Sequence, residues 1–134
     1  MGTAGVRLVR DVGLAGVDYA YAAVADTPVR AVWAAGACPL DQAGATIAPG
    51  DHAGQARQVM RNLRAALEGA GASLSDVVKT TVYVASGRQA DLVKVWEVYR
   101  EHMGEHDPPS TLLGVTVLGY DDQLVEVEAV AVIP

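Results

Sequence analysis

Residues 55–84 read QARQVMRNLRAALEGAGASLSDVVKTTVYV, and within this stretch the apolar period changes. Ala56, Val59, Met60, Leu63, Ala66 and Leu67 recur at three- and four-residue intervals, the spacing of one helix face. Asp51, following Pro49-Gly50, supplies an N-cap, and Gly69 and Gly71 supply the stop, so a helix is expected over residues 52–70. Val77–Val84 is rich in β-branched residues and reads as a strand. Further on, Leu92, Val95, Trp96, Tyr99 and Met103 form the stripe of a second helix over residues 89–103. Two more strands, Ser110–Leu118 and Leu124–Ile133, are joined by the turn Gly-Tyr-Asp-Asp-Gln. Before the first helix, Val6–Val9, Tyr19–Val24 and Arg30–Ala35 read as short strands, the last entered through Thr27-Pro28. This order predicts an α+β fold, a single domain over residues 1–134, with one mixed six-stranded sheet and both helices on one face. The other face then has to be buried elsewhere, most simply against copies of itself.

Composition narrows the function classes. A net charge of −6, from 10 Lys+Arg against 16 Asp+Glu, disfavours a nucleic-acid partner, because phosphate binding needs clustered cations. Arg57, Arg61 and Arg64 follow helical spacing but read as a solvated helix face. The lone cysteine, Cys38, makes no intrachain disulfide, so the cytoplasm is the default compartment. No segment is apolar enough for a membrane helix or a secretory leader, so no membrane partner is expected. With 51% hydrophobic residues and no Phe, the core should be built of small side chains, and apolar surface is left for an oligomer interface.

Chemistry-bearing groups are few. In the last strand a period of two puts Leu124, Glu126, Glu128, Val130 and Val132 on one face, and Val125, Val127, Ala129 and Ala131 on the other. The two glutamates are either ordinary solvent-facing side chains or carboxylates set against another subunit, where partial burial would tune one to hold a water. Gly36, in Ala34-Ala-Gly-Ala-Cys-Pro39, closes a strand and leaves backbone N–H groups accessible. Cys38 reads as an inert, partly buried thiol, with no His-Cys spacing to activate it. His102 and His106 stand four apart, yet Gly104 and Asp107-Pro-Pro should end the helix between them, so no metal site is expected. The chain carries no Gly-rich phosphate loop and no Gly-x-Ser-x-Gly elbow, which removes the commonest cofactor and hydrolase readings.

Four stretches carry a resemblance: AGACPLD (35–41), the 55–84 run, DPPSTLLGV (107–115) and VEVEAVAV (125–132). Together they are similar to the RidA/YjgF family, the reactive-intermediate imine deaminases, over residues 17–133. The resemblance implies a chorismate-mutase-like fold assembled as a homotrimer around a central barrel. It also implies sites between subunits and cofactor-independent hydrolysis of imines and enamines such as 2-aminoacrylate. By the same resemblance Glu126 is the water-holding glutamate, and Gly36, beside Ala35, is the strand-end glycine. Tyr19 or Tyr21 is the N-terminal aromatic, Trp96 stands at a helix-two position that is commonly polar, and the Thr111–Leu112 backbone borders the substrate.

Ser110 falls where deaminating members carry the arginine that clamps the substrate carboxylate. A serine hydroxyl supplies neither the charge nor the bidentate geometry of that arginine. Arg30, Arg88 or Arg100 would have to replace it. Three readings follow: a hydrolase acting on an imine, enamine or related carbonyl compound other than 2-aminoacrylate, a non-catalytic metabolite-binding or regulatory trimer, and, least favoured, an endoribonuclease.

Overall fold

Residues 5–133 are described by a computed structural model of the chain. In chain order the elements are β1 (Val6–Val9), β2 (Ala22–Ala25), β3 (Arg30–Trp33), α1 (His52–Gly69), β4 (Val77–Ala85), α2 (Gln89–Met103), β5 (Ser110–Val115) and β6 (Val125–Ile133). The helix and strand types match the sequence expectations throughout, and no described helix is long and apolar enough to cross a membrane. As expected, the Asp51 carboxylate caps α1 by accepting the Gly54 N–H at 2.9 Å. The far end closes as a Schellman motif: Gly71, at φ +83°, lets Ala72 N–H reach Leu67 O and Gly71 N–H reach Glu68 O.

The six strands form two hydrogen-bonded sheets where one was expected. β3, β6, β4 and β5 make a four-stranded sheet in that order, with β6 antiparallel to both neighbours and β5 parallel to β4. β1 and β2 form a separate antiparallel hairpin. At the junction the Asp26 N–H continues the pairing with β1 through Gly5 O, and Pro28, which has no N–H, lies between β2 and β3. β2 also starts later than expected, because the Ala20 N–H is drawn to Asp107 O at 2.8 Å. A bidentate Arg10–Asp107 pair fastens the same segment to the entry of β5.

Both helices pack on one face of the four-stranded sheet. From α1 come Val59, Met60, Leu63 and Leu67, from α2 Val95, Val98, Tyr99 and Met103, and from the sheet Val82, Val84, Val125, Val127, Ala129 and Ala131, all buried. The last four are the phase of β6 that the alternation sets opposite the glutamates, and the structure turns it inward. The helix stripes are shifted slightly: Ala66 is exposed and Gln55 buried, and on α2 Val98 is buried while Leu92 and Trp96 are only half-buried. The opposite face carries Glu126, Glu128, Lys79, Thr81, Tyr83, Leu113 and Trp33, and Trp33 is 75% exposed.

Gln55 ties α1 to the chain that enters β6. Its amide nitrogen donates to Asp122 O at 2.8 Å and Ala48 O at 3.3 Å, and its oxygen accepts the Leu124 N–H at 2.7 Å. Gln55→Leu would keep the volume and strand three backbone groups around a fully buried side chain. Each unsatisfied buried group costs about 1–3 kcal/mol, so with three such groups urea unfolding should show a loss of at least about 3 kcal/mol for this variant.

Candidate functional site

Glu126 is positioned by an irregularity in the pairing of β6. The Ala34 N–H bonds Ala129 O, whereas Ala37 and Val127 exchange both backbone bonds, at 2.7 and 3.2 Å. Three steps along one strand therefore face two along the other, which makes Ala35-Gly36 a bulge. The bulge brings the Gly36 backbone against the Glu126 side chain: a Cβ built on Gly36 would stand 2.6 Å from Glu126 Cδ. Glu126 Oε1 accepts the Cys38 thiol at 3.3 Å and the Gln123 amide N–H at 3.2 Å. Cys38 is held in turn by α1, since Asn62 Nδ2 donates to Cys38 O at 2.8 Å and Leu40 O at 3.0 Å. Burial first, then the Glu126 carboxylate, push the Cys38 thiol up to about 11, so it is protonated at neutral pH and is a poor nucleophile. A cleft of about 530 Å3 opens beside this group, lined by Gly36, Cys38, Leu40, Gln58, Asn62 and Tyr120 among others.

The second candidate group lies at the β5 edge. Asp18, Tyr19, Trp96, Ser110, Thr111 and Leu112 line a cleft of about 450 Å3. The structure separates the two tyrosines: Tyr19 faces this cleft, edge-on to Trp96, whereas the Tyr21 hydroxyl donates to Ala15 O at 2.6 Å. Ser110 is bound into a hydroxyl cluster under α2. It donates to Pro108 O at 2.9 Å, accepts from Thr80 Oγ1 at 2.7 Å, and lies 3.0 Å from the Tyr99 hydroxyl. Burial raises the Tyr99 phenol above its ordinary range, which keeps it a neutral partner. The one Ser110 proton is thus committed to the protein. The charged group nearest the cleft wall is Asp18, which accepts the Trp96 indole N–H at 2.9 Å and pairs with Arg100 at 3.7 Å. Of the three arginines considered as replacements, Arg100 approaches this cleft and Arg88 pairs instead with Asp91.

The two groups do not meet within one chain. Ser110 pairs with Thr80, which pairs with Ala129, and those side chains lie on the helix-covered face. Glu126 pairs with Tyr83 on the other face and sits two strands from β5. Glu128 shares its face but is engaged by the Tyr83 hydroxyl at 2.6 Å. The histidines diverge, as α2 ends between them: His102 Nδ1 bonds Val98 O and His106 Nε2 bonds Val77 O. Arg57, Arg61 and Arg64 are exposed, with Arg64 paired to Glu68 and Arg61 donating to Gln58.

Sequence reading missed Asn62, Gln123 and Asp18. Gln123 left a signal, because it continues the buried phase of Val125 and Val127 with a polar side chain that needs partners. Asp18, in an irregular exposed segment, left none.

Comparison with known proteins now bears on this geometry. The sequence model of the family described as Endoribonuclease L-PSP matches residues 15–133. A RutC family protein of Pyrococcus horikoshii is 43% identical over 97 residues, covering 72% of this chain and 75% of that one. The 2-iminobutanoate/2-iminopropanoate deaminase of Rattus norvegicus is 31% identical over 77% of this chain and 73% of its own length. Among solved structures, a Rid family protein from Yersinia pestis superposes with a TM-score of 0.86 at 24% identity, over 96% of this chain and 99% of that one, a likeness of fold. Rv2704 of Mycobacterium tuberculosis, from the YjgF/YER057c/UK114 family, gives 0.66 at 29% identity, over 96% of this chain and 99% of its own.

The bulge makes Gly36 the most sensitive backbone position near Glu126. In Gly36→Ala the added methyl should force the Glu126 carboxylate away from its Cys38 and Gln123 partners while the fold persists. A crystal structure of the variant would check this by the Glu126 side-chain dihedrals.

Proposed function

We propose, for a chain that belongs to the Endoribonuclease L-PSP (RidA/YjgF) family, that it hydrolyses an imine or enamine without a cofactor at a site shared between subunits. The observation that carries this reading is the oriented carboxylate of Glu126 beside the Gly36 bulge. Glu126 Oε2 accepts a proton from a water whose oxygen attacks the C=N carbon. The proton passes to the substrate nitrogen, the carbinolamine collapses, and ammonia leaves as the carbonyl forms. β5 is an edge strand; Pro109 O is taken by the Thr80 N–H of β4, so by strand alternation the Leu112 N–H points to the open edge and would orient the substrate.

The sheet order supports a site completed by a second subunit. Glu126 and the β5 cleft are separated by two strand spacings, about 10 Å, and face opposite sides of the sheet. A ring of copies that buries the helix-free face, with its exposed Trp33 and Leu113, would bring the β5 edge of one subunit to Glu126 of the next. We take that ring to be the homotrimer implied by the family.

The substrate differs from 2-aminoacrylate in this reading. The β5 cleft offers a committed serine and the carboxylate of Asp18, paired with Arg100, in place of a free guanidinium. Loss of a charge-assisted hydrogen bond of about 1.5–3 kcal/mol lowers affinity for a small imino acid roughly 10–100-fold. An imine without an α-carboxylate fits this cleft better. The commitment of Ser110 also favours a second reading, a metabolite-binding trimer without turnover. The acidic balance of the chain argues against an RNA substrate.

Ammonia release separates these readings. Turnover of a carboxylate-free imine in preference to 2-aminoacrylate, lost in Glu126→Gln, is the expected result. Silence on a broad imine panel, with a metabolite co-purifying, would instead establish the binding role. Analytical ultracentrifugation should give three chains per particle, and Trp33→Asp should shift it towards monomer.

A further inference from the structure

We propose that Gln123 and Cys38 are positioning residues for Glu126, fixing Oε1 from two sides and leaving Oε2 as the one oxygen free to hold the reacting water. The proposal rests on the hydrolytic role of Glu126 given above. Gln123 is 4% exposed and its orientation is forced. Its amide oxygen accepts the Tyr120 N–H at 3.1 Å, while its amide nitrogen donates to Val125 O at 3.1 Å and Glu126 Oε1 at 3.2 Å. Turning the amide over would set an oxygen against two acceptors, so Gln123 can only present a donor to Glu126.

Cys38 approaches the same oxygen from the other strand. Its backbone is fixed by the Ala37–Val127 pairing on one side and by Asn62 on the other. Its single hydrogen can go to Gly36 O, at 3.5 Å, or to Glu126 Oε1, at 3.3 Å. The charged acceptor is nearer and is the stronger partner. A thiol that stays protonated at neutral pH is a donor here and does not compete as a nucleophile. Tyr83 and Glu128, the titratable groups beside Glu126 on the sheet face, are bonded to each other. Among the described residues no side chain donates to Oε2, which lies over Gly36 where a methyl would not fit. Two donors on one oxygen thus fix which lone pairs of the carboxylate face the water.

Because the chain has one cysteine, alkylation by iodoacetamide followed by intact mass reads Cys38 alone. The midpoint of its pH profile should lie near 11 in the wild type. It should fall in Glu126→Gln, which removes the charge. With the fastest imine of the panel, Cys38→Ala and Gln123→Met should each lower kcat roughly tenfold with KM nearly unchanged, and Cys38→Ser should restore it. An alkylation profile that does not move in Glu126→Gln would overturn the contact. Wild-type kcat in both Cys38→Ala and Gln123→Met would overturn the positioning role. Full turnover in Glu126→Gln would remove the hydrolytic reading, and the water-holding role with it, whether or not the alkylation midpoint moves.

Discussion

Everything in this fold is referred to β6, which pairs with β3 on one side and β4 on the other. A strand with two neighbours cannot slip by one residue without turning its whole apolar set outward. Val125, Val127, Ala129 and Ala131 are locked under α1 and α2, and that burial obliges Glu126 and Glu128 to face away from the helices. The orientation of the candidate carboxylate is therefore a consequence of core packing and is held with the strength of the core. The bulge at Ala35-Gly36 is a local departure from this regularity, as is the register shift between Val77 and Lys79 of β4, and the bulge occurs where backbone meets Glu126. A regular pairing would have set side chains, and not an open glycine, beside the carboxylate.

What the sequence made legible follows from the range of each signal. α1 and β4 were readable because capping, period and β-branching act within a few residues, and the same holds for the alternation along β6. Division of the strands into a hairpin and a four-stranded sheet was not readable, because it turns on which partner the chain near Ala20 and Pro28 finds, and Ala20 is captured by Asp107 far along the chain. The site shows the same division. Glu126 and Gly36 came from a resemblance, and the structure puts them in contact. The donors that fix Glu126 reach it across strands and a turn, so no local pattern announced Cys38 as a partner. Gln123 was detectable in principle as a polar residue on an apolar phase.

Ser110 has a packing role of its own in this fold. Its hydroxyl completes a cluster with Thr80, Tyr99 and Pro108 O beneath α2. An arginine at the same backbone position could not occupy that space and would have to project outward, leaving the Thr80 and Tyr99 hydroxyls to satisfy each other. Serine turns the position inward and makes it part of the packing of α2 on the sheet. The cleft in front of it is then defined by Tyr19, Trp96 and Asp18, an aromatic wall with a carboxylate in it. If this cleft holds the substrate, as proposed, an aromatic wall with a carboxylate in it favours selection by shape and apolar contact over capture of an anion.

The same sheet geometry ties the proposed chemistry to assembly. A carboxylate on one face near β3 and a cleft at the opposite edge cannot act on one small molecule within a single chain, whatever the rotamers of the side chains. If the two cooperate, each chain supplies half of two different sites, and the rigid pairing of β6 sets the position of both halves. Apolar side chains left open on the helix-free face, Trp33 and Leu113, then serve the same end as Glu126 beside them, since burying that face is what brings the two halves together. In such an arrangement a dissociated subunit would keep its fold, its oriented Glu126 and its aromatic cleft, and would still lack a complete site.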